Sequence, residues 1–332
     1  MSTGRGVLAA LRRTPRTTNA EPPELHYAID EVLHFRDRLI VKGWAFSPEV
    51  RLAAIAWSLG PDQPMREDGH WRLPSPDVSE VYGPAAVDCR FVIEAAPVSA
   101  EDAYGFTLTL RFADGRVHRM ERLVDDALSR DPYHLLQQRF FTELRSRDSA
   151  RVLEIGARAR SGNVRREYLG DRVDYVGVDI VDGPNVDVVA DAHDLSRSFR
   201  PDSFDAVFSI STFEHLAMPW KAVLEINAIL RTGGTVMVAT HQSWPLHETP
   251  WDFWRFSTYT WPVLFNAATG FEVLESAMGE PASVVPHFVH PPTAGLDTHA
   301  AMLGTACLAR KTGSTRLRWD VTPVDDMGVY PG

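Results

Sequence analysis

The stretch "RVLEIGARARSGN", Arg151 to Asn163, decides how the rest of the chain is read. A short apolar run closes on Glu154, Ile155 and Gly156. A run of that length ending on glycine reads as a buried strand entering a tight turn. Gly156 permits the turn, and Gly162 permits close approach of the backbone to a ligand. Similar runs follow in "DYVGVDI", "VDVVADA", "FDAVFSIS", "TVMVATH", "FEVLESAM" and "AMLGTACLARK", with helical segments between them. Strands that alternate with helices form a mostly parallel sheet with helices on both faces, an α/β architecture. The preceding "DPYHLLQQRFFTELRSRD" places Leu135, Leu136, Phe140, Phe141 and Leu144 on one helical face, so a lead-in helix opens this domain.

Upstream the period changes. Ile55, Trp57 and Leu59 alternate with small or polar residues, as do Phe106, Leu108, Leu110 and Phe112, which run into the hairpin signal Asp114-Gly115. No long helical pattern interrupts this region, and an antiparallel β-sandwich of about 100 residues is its natural solution. Ahead of it, "TPRTTNAEPPE" reads as a flexible arm. The expected organisation is an arm at 1–23, an all-β sandwich at 24–123, the α/β domain with its lead-in helix at 124–311, and a polar tail at 312–332.

The totals narrow the function classes. The net charge of -10 disfavours nonspecific binding to nucleic acid or anionic lipid, and nucleic acid is not an expected partner. Only Cys89 and Cys307 are present, which gives no disulfide framework and no zinc-finger spacing and fits a cytoplasmic protein. No apolar run approaches a membrane span, so no stable membrane insertion is expected. The apolar part of "GVLAALRR" is too short for a secretory signal. Homo-oligomerisation is left open.

Ligands of an open parallel sheet bind beyond the carboxyl ends of its strands. Glu154 and Gly156 close the first strand, with Ala157 and Gly162 in the loop beyond. Asp179, followed by Ile180, closes the second, where a carboxylate is suited to ribose hydroxyls. Asp191 and Ala192 follow the third, and Ser209 lies near the end of the fourth. A nicotinamide dinucleotide would need G-x-G-x-x-G, and Arg158 stands where its second glycine belongs. Glu154 would repel a pyrophosphate but suits a cationic amino-acid ligand. An ammonium, a sulfonium and a ribose are the groups of S-adenosylmethionine.

In their order and spacing these segments resemble the class I S-adenosylmethionine-dependent methyltransferases of the broad type 11-like group. "VLEIG" resembles the first motif, "YVGVDI" the second and "VVADAHDL" the third. "FDAVFSISTFEHLAMPWKAVLEINAILRTGG" resembles the fourth-strand region with its helix and Gly-Gly turn. The resemblance covers about residues 132 to 311 and implies a Rossmann-like fold with S-adenosylmethionine as cofactor. The loop "GARARSG" departs from the group's glycine-rich pattern. The sandwich, with "RLIVKGWAFSP" and "LPSPDVSEVYG", is similar to an accessory domain of some bacterial glycosyltransferases and methyltransferases, which implies glycan or secondary-metabolite biosynthesis.

On the acceptor side, methyl transfer is an in-line displacement that needs an aligned nucleophile and a destination for its proton. A hydroxyl benefits from a nearby histidine. His215 in "STFEHLAMPW" is the first candidate base, and His241 at the fifth strand end is the second. The loop "THQSWPLHETPWDFWRF" after that strand supplies a candidate acceptor wall. Trp244, Trp251 and Trp254 offer stacking faces, and His247, Asp252 and Arg255 offer polar contacts. A lid packed on itself, with Asp252 and Arg255 satisfying one another, is the rival reading. His241, His247, Glu248 and Asp252 match no compact metal motif, so no metal is expected. His287 and His290, among prolines, read as loop residues. The expected function is methyl transfer to a small-molecule or glycan acceptor, at oxygen, with a histidine base. The alternatives are an inactive donor-binding scaffold in a biosynthetic complex and, behind it, an NAD-dependent sugar oxidoreductase.

Overall fold

The computed structural model describes residues 23–60, 63–160, 162, 164–288 and 290–321. The arm before residue 23 and the tail beyond residue 321 lie outside the described residues. Contacts divide the chain between Arg130 and Asp131 into two compact units.

The N-terminal unit contains strands β1 (His26–Phe35), β2 (Arg38–Phe46), β3 (Leu52–Ser58), β4 (His70–Leu73), β5 (Arg90–Ala95), β6 (Thr107–Phe112) and β7 (Val117–Glu121). They form two antiparallel sheets, β1-β2-β5-β4 and β3-β6-β7. The alternation at residues 106–112 places Leu108 and Leu110 in one core with Ile55 and Trp57 of the same sheet and Leu39, Val41, Phe91 and Ile93 of the other. Inward faces of two sheets sharing one core define a sandwich. Trp57 stacks on Phe106 with centroids 5.8 Å apart and donates its indole N–H to Asp68 O at 2.9 Å, so the largest buried side chain has its polar atom satisfied. Gly115, at φ 87°, turns β6 into β7, and Asp114 Oδ1 accepts from the Arg116 N–H at 3.1 Å. Short helices α1 (Pro76–Tyr82), α2 (Ala100–Tyr104) and α3 (Leu123–Ser129) fill the connections. Leu123 packs into the sandwich core, which ties α3 to this unit.

Helix α4 (Pro132–Ser146) opens the second unit. Pro132 occupies the first turn, where its missing N–H costs nothing, and Asp131 Oδ1 caps the Tyr133 and His134 N–H groups at 3.0 and 3.4 Å. Strands β8 (Ala150–Ile155), β9 (Val173–Asp179), β10 (Val188–Val189), β11 (Phe204–Ile210), β12 (Leu230–His241), β13 (Phe271–Ser283) and β14 (Ala300–Lys311) follow. Helices α5 (Leu195–Ser198), α6 (Pro219–Ile229) and α7 (Trp261–Leu264) lie between them. The sheet order is β10-β9-β8-β11-β12-β14-β13; the first five strands are parallel, and β14 runs antiparallel to both neighbours.

Alternate residues of each strand feed different cores. Val152, Ala206, Phe208 and Met237 pack with α4, whereas Leu153, Val207, Val236 and Val238 pack with α6. Both faces of the sheet are therefore covered, as the near-continuous apolar runs require. The Gly-Gly segment is not a separate turn. Phe204 pairs with Leu230 and Ala206 with Thr235, so residues 231–234 bulge within β12. Because β9 and β11 flank β8 on opposite sides, the strand order reverses there, and a crevice opens beyond the carboxyl ends.

Candidate active site

That crevice is a cavity of about 870 Å³ lined from the ends of β8, β9, β11 and β12. Gly156 sits on its wall at φ 79°, and a Cβ there would meet Thr212 Oγ1 at 1.9 Å. Only glycine lets the first loop pass so close to Thr212, in the turn after β11. Asp179 and Ile180 line the same region. Asp179 accepts from the backbone N–H of Val181 at 3.0 Å and of Arg158 at 3.3 Å, so the carboxylate clamps the loop while remaining on the wall. In parallel register Val189 pairs with Asp179, which brings Asp191 to the same edge. Asp191 Oδ1 accepts from the backbone and ring nitrogens of His193 at 2.9 and 2.6 Å. Its Oδ2 is buried without a hydrogen-bond partner.

Other expected donor residues lie beneath the wall. Glu154 is completely buried: Oε1 accepts from Arg165 Nη1 at 2.8 Å, and Oε2 accepts from the Tyr175 hydroxyl. Burial raises its carboxyl pKa despite the opposing effects of Arg165 and Tyr175. Its charge is engaged inside the protein, and Arg165 stands on the cavity wall instead. Ala157 and Ala192 are buried, Ser209 donates to Ile155 O at 3.1 Å, and Gly162 is exposed at φ 79°. Arg158, Arg160 and Arg165 all line the cavity. The loop that lacks extra glycines supplies cations instead, a property that the glycine pattern alone did not reveal.

The cavity wall also gathers three histidines. His215 and His241 line the cavity together with His247 and Trp251. The His247 ring lies 4.8 Å from that of His215 and 5.2 Å from that of His241. His215 Nδ1 donates to Trp251 O at 2.7 Å, so the neutral ring carries its lone pair on Nε2. His241 Nε2 approaches Glu214 Oε1 to 3.1 Å. Glu214 is wholly buried; Oε2 accepts from the Thr240 hydroxyl, while Oε1 has no aligned hydrogen bond even to His241. Burial lowers the His241 pKa to about 4, with His247 and Arg255 adding to the effect, so this ring is neutral near pH 7.

Residues 242–260 form neither helix nor strand. Backbone bonds from Phe253 and Trp254 to Glu214 O, at 2.9 and 3.1 Å, fasten this loop to the turn after β11. Asp252 and Arg255 satisfy one another through bonds of 2.6 and 2.8 Å, and Arg255 also reaches Trp244 O at 3.0 Å. They brace the loop and are not on the cavity wall. The Asp252 carboxyl is correspondingly held far below its usual range, Arg255 being the largest cause. Trp244 stacks on His241 with centroids 4.7 Å apart, and Trp254 donates to Leu216 O at 2.8 Å. Among the tryptophans of the loop, Trp251 is the one on the wall. Glu248 is there too, paired with Arg160 from the first loop. His287 and His290 are exposed elsewhere.

Residues 153–238 match the family model described as a methyltransferase domain. Among solved structures, the chain is similar to an S-adenosylmethionine-dependent methyltransferase from Archaeoglobus fulgidus at 15% identity and TM-score 0.40, over 54% of this chain and 94% of that one. It is similar to the Burkholderia thailandensis 1,6-didemethyltoxoflavin-N1-methyltransferase at 18% identity and TM-score 0.39, over 57% and 80% of the two chains. A third similar structure is the [4+2]-cyclase SpnF, at 17% identity and TM-score 0.36 over 54% and 82%. No curated protein matches.

Proposed function

We propose that this chain, whose C-terminal unit is a class I S-adenosylmethionine-dependent methyltransferase domain, methylates a hydroxyl of a small-molecule or glycan acceptor. One observation carries the reading. A single cavity carries Asp179, a carboxylate suited to ribose hydroxyls, together with a histidine cluster beside Trp251.

The donor residues fit S-adenosylmethionine. Asp179 presents a carboxylate to ribose hydroxyls, and the buried, unpartnered Asp191 Oδ2 would accept from an exocyclic adenine amine. The Arg165 guanidinium, anchored on Glu154, suits the carboxylate of a methionine moiety. The donor supplies an electrophilic methyl group on a sulfonium. Trp251 would exclude water and orient the acceptor ring, and the acceptor proton would pass to a histidine. His215 is favoured by its Nε2 lone pair, and His241 is held neutral beside it.

A methylation screen of glycans, nucleotide sugars and phenols, read by mass spectrometry, tests the proposal. His215→Ala should slow turnover far more than it weakens S-adenosylhomocysteine binding. Retained turnover in that variant removes His215 from the chemistry, and donor binding without any product favours an inactive scaffold.

A further inference from the structure

Glu214 and His215 are adjacent on the turn after β11, and His247 lies on the loop after β12. One ligand-type atom from each of the three falls within 4.8 Å of the others. Bonds to a divalent ion of about 2.1 Å place tetrahedral ligands roughly 3.4 Å apart, so closing the set takes a movement on the order of an ångström.

Glu214 is wholly buried, its Oε1 makes no hydrogen bond, and no lysine or arginine forms an ion pair with it among the described residues. A buried carboxylate in that position is stabilised when a cation binds its open oxygen. The two imidazoles also have defined tautomers. His215 Nδ1 donates to the Trp251 carbonyl, and His247 Nδ1 faces Asp252 Oδ2 at 3.1 Å and Pro245 O at 3.2 Å. Both neutral rings therefore keep the lone pair on Nε2, in the arrangement that fixes the tautomer of a metal-bound histidine. Asp252 is itself held by Arg255 and by the His247 backbone N–H.

We infer that Glu214, His215 and His247 form a binding site for one divalent transition-metal ion at the acceptor end of the cavity. Two imidazoles and one carboxylate suit zinc, manganese, iron or cobalt better than magnesium or calcium. Three protein ligands leave a further coordination position toward the cavity, and, resting on the hydroxyl-acceptor reading, that position takes the acceptor oxygen. With the ion bound, the His215 lone pair is committed to it, and His241, a neighbour of Glu214, is the histidine left to take the acceptor proton.

The full chain, stripped with a chelator and desalted, is titrated with Zn²⁺, Mn²⁺ or Mg²⁺ by calorimetry. Co²⁺ is added separately for its visible spectrum. The expected result is one tightly bound Zn²⁺, a Co²⁺ spectrum with nitrogen-ligand intensity, and much weaker Mg²⁺ binding. Glu214→Gln and His247→Ala should each weaken Zn²⁺ binding by more than the roughly 10- to 100-fold expected of Asp252→Asn, while exposed His299→Ala binds as the parent does. Because burial puts the fold of Glu214→Gln at risk, His247→Ala is read as well, with its circular dichroism compared with the parent. Absence of stoichiometric metal, or Zn²⁺ binding unchanged in folded His247→Ala, overturns the site. S-adenosylhomocysteine titrated into the same chain separates the two ideas: a chain that binds donor but takes up no metal when metal is added sinks this inference alone, and one that takes up metal but no donor sinks the donor pocket alone.

Discussion

Arg165 Nη1 stands 2.8 Å from Glu154 Oε1, with the arginine side chain 16% exposed and the glutamate 1%. The carboxylate that closes the first strand thus meets the cavity only through a cation. Removing that cation leaves a buried charge unpaired, and Arg165→Ala is expected to cost about 3 kcal/mol of stability, measured by urea unfolding. Calorimetry should also show weaker S-adenosylhomocysteine binding. Unchanged donor affinity in a folded variant would remove Arg165 from the methionine end.

The same pair sets a pH dependence. The folded-state pKa of Glu154 is raised, chiefly by burial. A carboxyl raised on folding contributes stability below its unfolded value, about 4.3, and that contribution is lost as pH rises through the folded value. Parent and Glu154→Gln unfolding curves, collected from pH 4 upward, should therefore diverge in favour of the glutamine variant over that window. Parallel curves would contradict the assignment of burial as the dominant cause.

On the proposed reading, Asp179 meets the ribose of the donor and Asp191 its adenine. Asp179→Ala is expected to weaken S-adenosylhomocysteine binding roughly 10- to 100-fold, on the scale of one or two charge-assisted hydrogen bonds. Asp191→Asn should instead erase discrimination between the adenine donor product and its inosine analogue, because the exocyclic amine is the group that distinguishes them. Competition binding with both compounds reads the two effects separately.

The strands were readable because each has a distinct apolar run, and the α/β alternation left one sheet architecture. The sandwich was readable from the two-residue period at 106–112, whose alternate residues Phe106, Leu108, Leu110 and Phe112 are all buried. The side-chain roles were less accessible. Nothing in the spacing announced that Arg165 would engage Glu154, because their meeting depends on how the first loop returns across β8. Likewise Glu214 and His247 are far apart in sequence, and the fold joins them through backbone bonds from Phe253 and Trp254 to Glu214 O. Asp252 and Arg255 illustrate the converse. Their charge and loop position allowed either a ligand contact or a mutual pair, and the three-residue separation lets them satisfy each other.

A stability change remote from the cavity offers a control. Lys311, at the end of β14, donates to Asp202 Oδ1 at 2.9 Å and to the Asn227 and Leu230 carbonyls at 2.7 and 2.5 Å. Lys311→Met leaves those two carbonyls without their donor and should cost about 2–6 kcal/mol, at 1–3 kcal/mol for each unsatisfied buried group. It should leave donor affinity unchanged, because none of these residues lines the cavity.

Arg160 and Glu248 make the opposite kind of contact: an ion pair with 55% and 40% of the two side chains exposed, joining the loops after β8 and β12 on the cavity wall. Exposed pairs contribute only about 0–1 kcal/mol, so Glu248→Gln should unfold almost as the parent does. Its effect belongs to kinetics, because separating these loops breaks the pair. Stopped-flow measurement should show faster S-adenosylhomocysteine release from Glu248→Gln than from the parent at low salt. Raising ionic strength screens the exposed pair, so the parent rate should climb toward that of the variant while the variant changes little. Equal release rates at low salt would mean that the two loops do not need to separate for the ligand to leave.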